Sequence, residues 1–469
     1  MNRIDLGKIL GDIRFWLGIT FLHRLITITQ PPLEVAHSWR QTMVNMVARN
    51  FLQVDANIFY PRIDMGGELS GITGMEFPFF NYLIYLFSSV FGYDHWYGRL
   101  INLAVSSFGI LAFHDYAKKL FDRRISFMSS MVILFSIFYY YSRKAMTDTF
   151  SISLVLIGIL LWWTYTERGR WYHYLLGFLT ILLGVLGKLP VIITLALLWP
   201  VIYKASSNQR FKIIAAVFIV GVLSALWYFT WVPHLKATYG LDRYFMGDSI
   251  SATASFILEN FNQVSRAFYW KAVGYSGALL TLAGLFFIRD KSQAFKLTLL
   301  SGTLLMLLVL FKSGDRFYDH PYYVAPFIPI MALLAGLALN SLPKRWALFA
   351  VLVLLSEGVF SRWSDQFIKK GKEYVELEDR LAPYVNTNDL IAMNTIKNPT
   401  AFYFANRKGW VTGNWNLKKP EYQREIAEAG CKYIVICKVR FAKEIELELP
   451  LIYEDDLFAL YALPENLSP

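Results

Sequence analysis

The feature that most constrains this chain is a recurring alternation. Apolar blocks of about 15–22 residues, the length of a membrane-crossing helix, are separated by short polar loops. Charged residues make up 17% of the 469 residues and hydrophobic residues 55%. An ordinary soluble domain carries about 25% charge. The 37 Phe, 28 Tyr and 14 Trp supply material for aromatic belts at a membrane interface. The expectation is an all-α polytopic membrane protein. About eleven spans are predicted, near 14–31, 97–118, 125–142, 149–166, 171–187, 190–204, 211–232, 270–288, 295–311, 322–341 and 345–361.

The formal net charge of +11 could suggest a nucleic-acid partner. The basic residues argue against it, because they sit in the short loops. KKLFDRR (118–124), TERGR (166–170), YKASSNQRFK (203–212), IRDKSQ (288–293) and LPKRW (342–346) each hold at least two Lys or Arg. Basic loops stay on the cytoplasmic side, so their alternation places the N-terminus inside and all residues after 361 outside. The first apolar segment is long and lacks a small-residue cleavage site, so it reads as a span and not as a cleavable signal. The segment 77–92 is expected as a helix lying along the outer surface. A crossing there would move every later basic loop to the wrong side.

The domain organisation follows: a membrane domain over 1–361, with a first outside loop at about 32–96, and a small α/β domain over 362–469. In the latter, IKKGKEYVELEDRLAPYV predicts an amphipathic helix, DLIAMNT a strand, EYQREIAEAG a helix and CKYIVICK another strand, followed by LFALYAL. Cys431 and Cys437 share one predicted strand. Six steps of about 3.3 Å separate them by roughly 20 Å, too far for a disulfide.

This threading gathers the unusual polar residues on one face. The carboxylates are Glu76, in GMEFPFF, and Asp148, in MTDTF. The cations are Arg40, Arg143, Lys144, Lys188, Lys312 and Arg316. His37 stands in HSWRQ and His320 in DHPYY. Cations on the outside break the charge rule, and residues that break a local rule are candidates for a site. Carboxylates beside cations at a lipid boundary suit an amphiphile with a phosphate head: the cations hold the phosphate, and a carboxylate serves as base or metal ligand. Each residue also has a structural reading. Asp148 could cap a helix, Glu76 could be a helix N-terminal acid beside Pro78, and Lys188 could snorkel to headgroups. His320 could be an ordinary loop histidine, and Arg40 could pair with Glu34. Asp242, Arg243 and Asp248 read as a solvated face. No Walker A, GxGxxG, HExxH or CxxC pattern occurs. An activated substrate therefore arrives already attached to lipid.

Several segments, in order, resemble the GT-C membrane glycosyltransferases, in the bacterial protein O-mannosyltransferase-like branch that includes the lipid A aminoarabinose transferases. They are HSWRQ with VARNF, GMEFPFFNYLIYL, FGYDHWYGRLINLAVS with YAKKLF, SRKAMTDTFSISL, LGVLGKLPVI and DHPYYVAPFIPIMALLAG. The resemblance runs from about residue 30 to about residue 345. It implies a GT-C fold with surface helices in the first outside loop, in a bacterial inner membrane. It also implies transfer of a sugar from a polyprenyl-phosphate-linked donor to a hydroxyl of a glycan, lipid or protein, usually with inversion. By that resemblance, Glu76 matches a glutamate that ligates metal or orients substrate, and Asp148 an aspartate near the reaction centre. Lys188 matches the lysine of a mid-chain turn, and His320 lies near a late loop ligand, so Glu76 and His320 are the candidate holders of a divalent ion.

Two positions depart from the pattern. Phe77 stands where the family has a phosphate-binding lysine, which shifts that role to cations such as Arg40, Lys188 or Arg316. Met43 stands where many relatives have an aspartate, which leaves Glu76, Asp148 or His37 as base, or the chain inactive. A transporter or flippase of lipid-linked glycans is the reading from another class. It calls for polar residues along a path through the midplane, whereas the polar set here collects at one face.

Overall fold

The computed structural model describes residues 6–242, 247, 249–361, 363–441 and 445–464. The chain is mainly helical and forms two compact units. The first comprises Met1–Ile28, Gly98–Tyr228 and Phe245–Ser364; the second comprises Thr29–Tyr97, Phe229–Tyr244 and Asp365–Pro469. Arg243 and Asp248 lie outside the described residues. Asp242 pairs with Lys236 at 2.6 Å, both side chains more than half exposed, as a solvated face requires.

Among the described residues six helices are long and apolar enough to cross a membrane: Tyr97–Leu120, Thr147–Arg168, Ser207–Tyr239, Gln293–Ser313, Pro321–Ser341 and Lys344–Phe367. A seventh span results if the pair Phe261–Ala272 and Gly274–Phe287, bent by 96°, is counted as one. Full-length helices among the described residues therefore do not confirm the expected number near eleven. The remaining predicted spans are shorter or broken, and the sequence supplies the breaks. The segment near 125–142 divides into Arg123–Leu134 and Ile137–Tyr141, where Ser136 accepts from the Phe138 N–H as a cap. The segment near 190–204 is a 3-10 run, Leu189–Leu198, followed by Trp199–Lys204, with a proline early in each part. Proline removes an amide donor and resists the helix interior. At the 96° bend, Gly274 adopts φ +76°, a left-handed conformation that other residues enter at a cost. Glu357 accepts there from the Ser276 N–H at 2.9 Å and satisfies a donor that the bend exposes.

The second unit is built around a five-stranded sheet ordered β2-β1-β3-β5-β4. Its strands are β1 (Leu390–Met393), β2 (Gly409–Val411), β3 (Cys431–Cys437), β4 (Leu451–Glu454) and β5 (Phe458–Ala462). β1 runs parallel to both β2 and β3, whereas β5 lies antiparallel between β3 and β4. The two predicted strands, β1 and β3, and the helix Pro420–Glu428 form where the alternation places them, and LFALYAL supplies β5. β2 and β4, of three and four residues, have too little pattern to be seen. The amphipathic helix expected after residue 368 forms instead as a 3-10 turn, Lys372–Tyr374, and a short helix, Leu377–Leu381. Gly371 at φ +83° interrupts it. Tyr374, Leu377 and Leu381 still keep helical spacing and are buried. Cys431 and Cys437 are free and buried, and burial pushes both thiols well up from their ordinary range, Cys431 to about 12.

The loop over residues 32–96 shares a core with this sheet. Leu33, Met46, Phe51 and Ile63 pack in one cluster with Tyr374, Ile391, Phe402 and Leu460. The Gly67 N–H donates to the Gly409 carbonyl, and the Gly409 N–H to the Asp64 carbonyl, so residues 64–67 cover the open edge of β2. The segment expected as a surface helix forms one, Phe79–Phe91. Thirteen residues rise about 20 Å, short of the roughly 30 Å of a bilayer core. Phe80, Asn81, Ile84 and Ser88 are buried, and Leu86, Phe87, Val90 and Phe91 are exposed.

Candidate active site

In the first unit the site is set by the close approach of two helices. Thr147–Arg168 runs against Trp171–Gly187, and the contact is made by glycine. A Cβ at Gly184 would stand 2.8 Å from the Ser151 carbonyl oxygen, and one at Gly187 would stand 2.7 Å from Ser151 Oγ. This tight seam ends at Lys188, which follows the helix in extended conformation before the 3-10 run begins. Asp148 sits one turn before Ser151. Lys188 Nζ therefore reaches Asp148 Oδ1 at 3.7 Å, with side chains 8% and 3% exposed. The rings of Tyr322 and Tyr323 lie 5.4 and 6.0 Å from the same ammonium. Asp148 occupies the first turn but is not the cap, which is Met146. Snorkelling does not describe Lys188, which is buried.

The other expected residues of this unit divide. Arg143 is buried, and its guanidinium donates to the Arg24 and Ile26 carbonyls and to Thr27 Oγ1, at the end of the helix Ile13–Leu25. These bonds satisfy carbonyls that the helix end leaves over. Lys144 is equally buried, its ammonium 5.6 Å from the Tyr140 ring. Lys312 and Arg316 are exposed. His320 stacks on Tyr322, ring centres 5.1 Å apart, next to the tyrosines that face Lys188.

In the second unit, Arg40 and Glu76 come together. Arg40 Nη2 lies 3.6 Å from Glu76 Oε1, with side chains 27% and 14% exposed. Glu76 precedes its helix, which starts at Phe79. Glu34, the alternative partner suggested for Arg40, accepts from Gln41 Nε2 at 2.7 Å and pairs with Lys369 at 3.1 Å. His37 takes φ +64° at the start of Ser38–Gln53, a strained entry that fixes where Arg40 leaves the helix. Met43 is partly buried against the cluster that the loop shares with the sheet.

One buried assembly in this unit went unread in the sequence. Arg49 Nη2 donates to Asp64 Oδ2 at 2.9 Å and Asn50 Nδ2 to Asp64 Oδ1 at 2.7 Å. Arg49 Nη1 also donates to the Tyr403 carbonyl at 2.7 Å. The Tyr403 hydroxyl meets the Tyr93 hydroxyl at 2.6 Å and His95 Nδ1 at 2.5 Å. Burial pushes the Asp64 carboxyl above its ordinary range, against the pull of Arg49. Burial draws Arg49 down, but Asp64 holds it above its ordinary value. The signal available was the segment VARNF, an arginine and an asparagine on an otherwise apolar helix. Among the described residues no three His, Cys, Asp or Glu side chains gather to hold a metal ion.

A family model described as dolichyl-phosphate-mannose-protein mannosyltransferase matches residues 76–232, which contain Glu76, Asp148 and Lys188. The chain is similar in structure to ArnT from Cupriavidus metallidurans in the apo state, with a TM-score of 0.61 at 11% identity over 97% of this chain and 99% of that one. It is similar to the same protein bound to undecaprenyl phosphate, with a TM-score of 0.62 at 10% identity over 96% and 98%. The Archaeoglobus fulgidus oligosaccharyltransferase in complex with Zn and sulfate gives a TM-score of 0.57 at 13% identity, over 90% of this chain and 67% of that one. No curated protein matches the chain in sequence. The architecture is thus the GT-C fold, in a multi-pass membrane protein. Its relatives by fold include ArnT and the archaeal oligosaccharyltransferase.

Proposed function

We propose that this chain transfers a sugar from a polyprenyl-phosphate-linked donor to an acceptor hydroxyl at the outer face of a bacterial inner membrane, with inversion. The observation that carries this reading is that each unit brings one predicted carboxylate against one predicted cation, Asp148 with Lys188 and Glu76 with Arg40. The match of the family model over both carboxylates supports it, as does the fold shared with a protein solved with undecaprenyl phosphate.

In the reaction, the acceptor oxygen forms a bond to the anomeric carbon as the bond from that carbon to the phosphate oxygen breaks. The polyprenyl phosphate leaves with the electron pair, and the acceptor proton passes to a carboxylate, Asp148 or Glu76. A cation, Lys188 or Arg40, offsets charge developing on the departing phosphate. The fixed placement of two membrane-bound reactants supplies part of the acceleration. The acceptor is a glycan, lipid or protein hydroxyl. The described donor set does not form a cage for a divalent ion, so no step is routed through one. The orientation, with the N-terminus inside and the C-terminal unit outside, rests on the basic loops.

The test is release of free lipid phosphate from a panel of undecaprenyl-phosphate sugars by the purified protein, with and without chelator. Glu76→Gln and Asp148→Asn are each expected to abolish release while the protein stays folded. Full activity in both sinks the assignment. Met43, where an aspartate is expected, favours a second reading, an inactive relative. Release absent from the natural chain and present in Met43→Asp would establish that reading.

A further inference from the structure

The carboxyl edge of the parallel strands β1 and β2 collects polar groups that the proposed transfer does not use. In a sheet with parallel strands and helical connections, ligands bind beyond the carboxyl ends where neighbouring connections diverge. β1 occupies that position here, between β2 and β3. Asn394, the first residue past β1, is fully buried. Its amide donates to Asn414 Oδ1 at 3.0 Å, and its Oδ1 accepts from the Cys437 N–H at 2.7 Å. Thr395 and Thr400 are almost wholly buried, and no hydrogen-bond partner is found for either hydroxyl among the described residues. Buried hydroxyls in folded proteins nearly always have one, from protein, water or ligand. Between these two threonines Ile396 takes φ +60°, its N–H held by the Thr412 carbonyl at 2.7 Å.

Beside this cluster stands Trp415, 59% exposed. A Cβ at Gly413 would stand 2.2 Å from Trp415 Cζ3, so the indole rests on the Gly413 backbone and turns its other face outward. An aromatic face held in place beside amides and hydroxyls matches the chemistry of a sugar. The ring covers the apolar C–H face, and the amides and hydroxyls take the hydroxyl groups.

We propose that the carboxyl edge of β1 and β2, with Trp415 as its stacking platform, binds a saccharide. This is independent of the transfer reading, because binding is measured without a lipid-linked donor. The experiment exposes the full-length protein in detergent to a printed panel of neutral and acidic bacterial cell-envelope oligosaccharides. Positive members are then titrated against the natural chain, Trp415→Ala, Trp415→Phe and Asn414→Ala. The expected result is binding to at least one saccharide, weakened about tenfold or more in Trp415→Ala and largely kept in Trp415→Phe. Unchanged unfolding temperature in these variants separates lost binding from lost fold. Binding by Trp415→Ala equal to that of the natural chain, or no saccharide bound by the natural chain, overturns the proposal.

Discussion

Asp148 and Lys188 stand 3.7 Å apart with side chains 3% and 8% exposed, so each supplies the other with a counter-charge. Removing one partner of a buried pair leaves a charge in a poor solvent, at a cost of about 3–5 kcal/mol. Lys188→Met is expected to lower the unfolding temperature in detergent markedly, and adding Asp148→Asn should restore most of it. A single variant as stable as the natural chain would show that the pair is not coupled. Asp389 behaves differently, because it lies outside the membrane segments. Burial raises its carboxyl, but bonds from Lys432 and Asn386 outweigh this and hold it below the ordinary carboxylate range. A depressed folded value contributes stability above the ordinary pKa that is lost as the pH falls through the folded one. Melting curves between about pH 5 and about pH 2 should therefore lose stability with acid, and Asp389→Asn should flatten that dependence. The candidate residues stood out because charges are rare in apolar sequence. Their partners did not, since Lys188 meets Asp148 across forty residues and Tyr322 across more than a hundred.

At the scale of elements, the seam between Thr147–Arg168 and Trp171–Gly187 delivers Lys188 to its carboxylate. Gly184→Leu would force side-chain atoms into Val155 and the Ser151 carbonyl, which stand 2.7 and 2.8 Å from a Cβ there. The helices should part, and loss of lipid-phosphate release should accompany a lower unfolding temperature; a variant with unchanged release would mean the seam does not position the pair. The surface helix Phe79–Phe91 was legible from loop charges alone, because a crossing there would contradict every later basic loop. The breaks in the predicted spans were less legible. Hydropathy reports whether a stretch is apolar, whereas a 3-10 run or a 96° bend depends on which backbone donors find other partners.

For the whole molecule, the main consequence lies in the second unit, which is assembled from three separated stretches of chain. Helix Ser38–Gln53 lays Met46, Val47 and Phe51 against Ile391, Phe402 and Val435, and Arg49 reaches the Tyr403 carbonyl 354 residues away. A chain ending at residue 364 would leave that apolar face and the Arg49–Asp64 pair exposed. Limited proteolysis should cut such a chain rapidly within 30–97, and lipid-phosphate release should fail, although Glu76 and Arg40 are both present. Protection of 30–97 in the shortened chain would refute the shared core. Pairings over such separations close late and carry no local signature.

The sequence by itself determined the class of the molecule: spaced apolar blocks require membrane helices, alternating basic loops order them, and a few misplaced charges with the ordered motifs point to the GT-C fold. Only the tertiary structure decided which charges meet. It set Arg143 on the carbonyls of a helix end, paired Lys188 with Asp148 and Arg40 with Glu76, and joined the loop over residues 32–96 to the sheet. The reason is that hydropathy and charge act residue by residue along the chain. Pairing instead depends on distances of a few ångströms between segments far apart in sequence, and packing alone sets those.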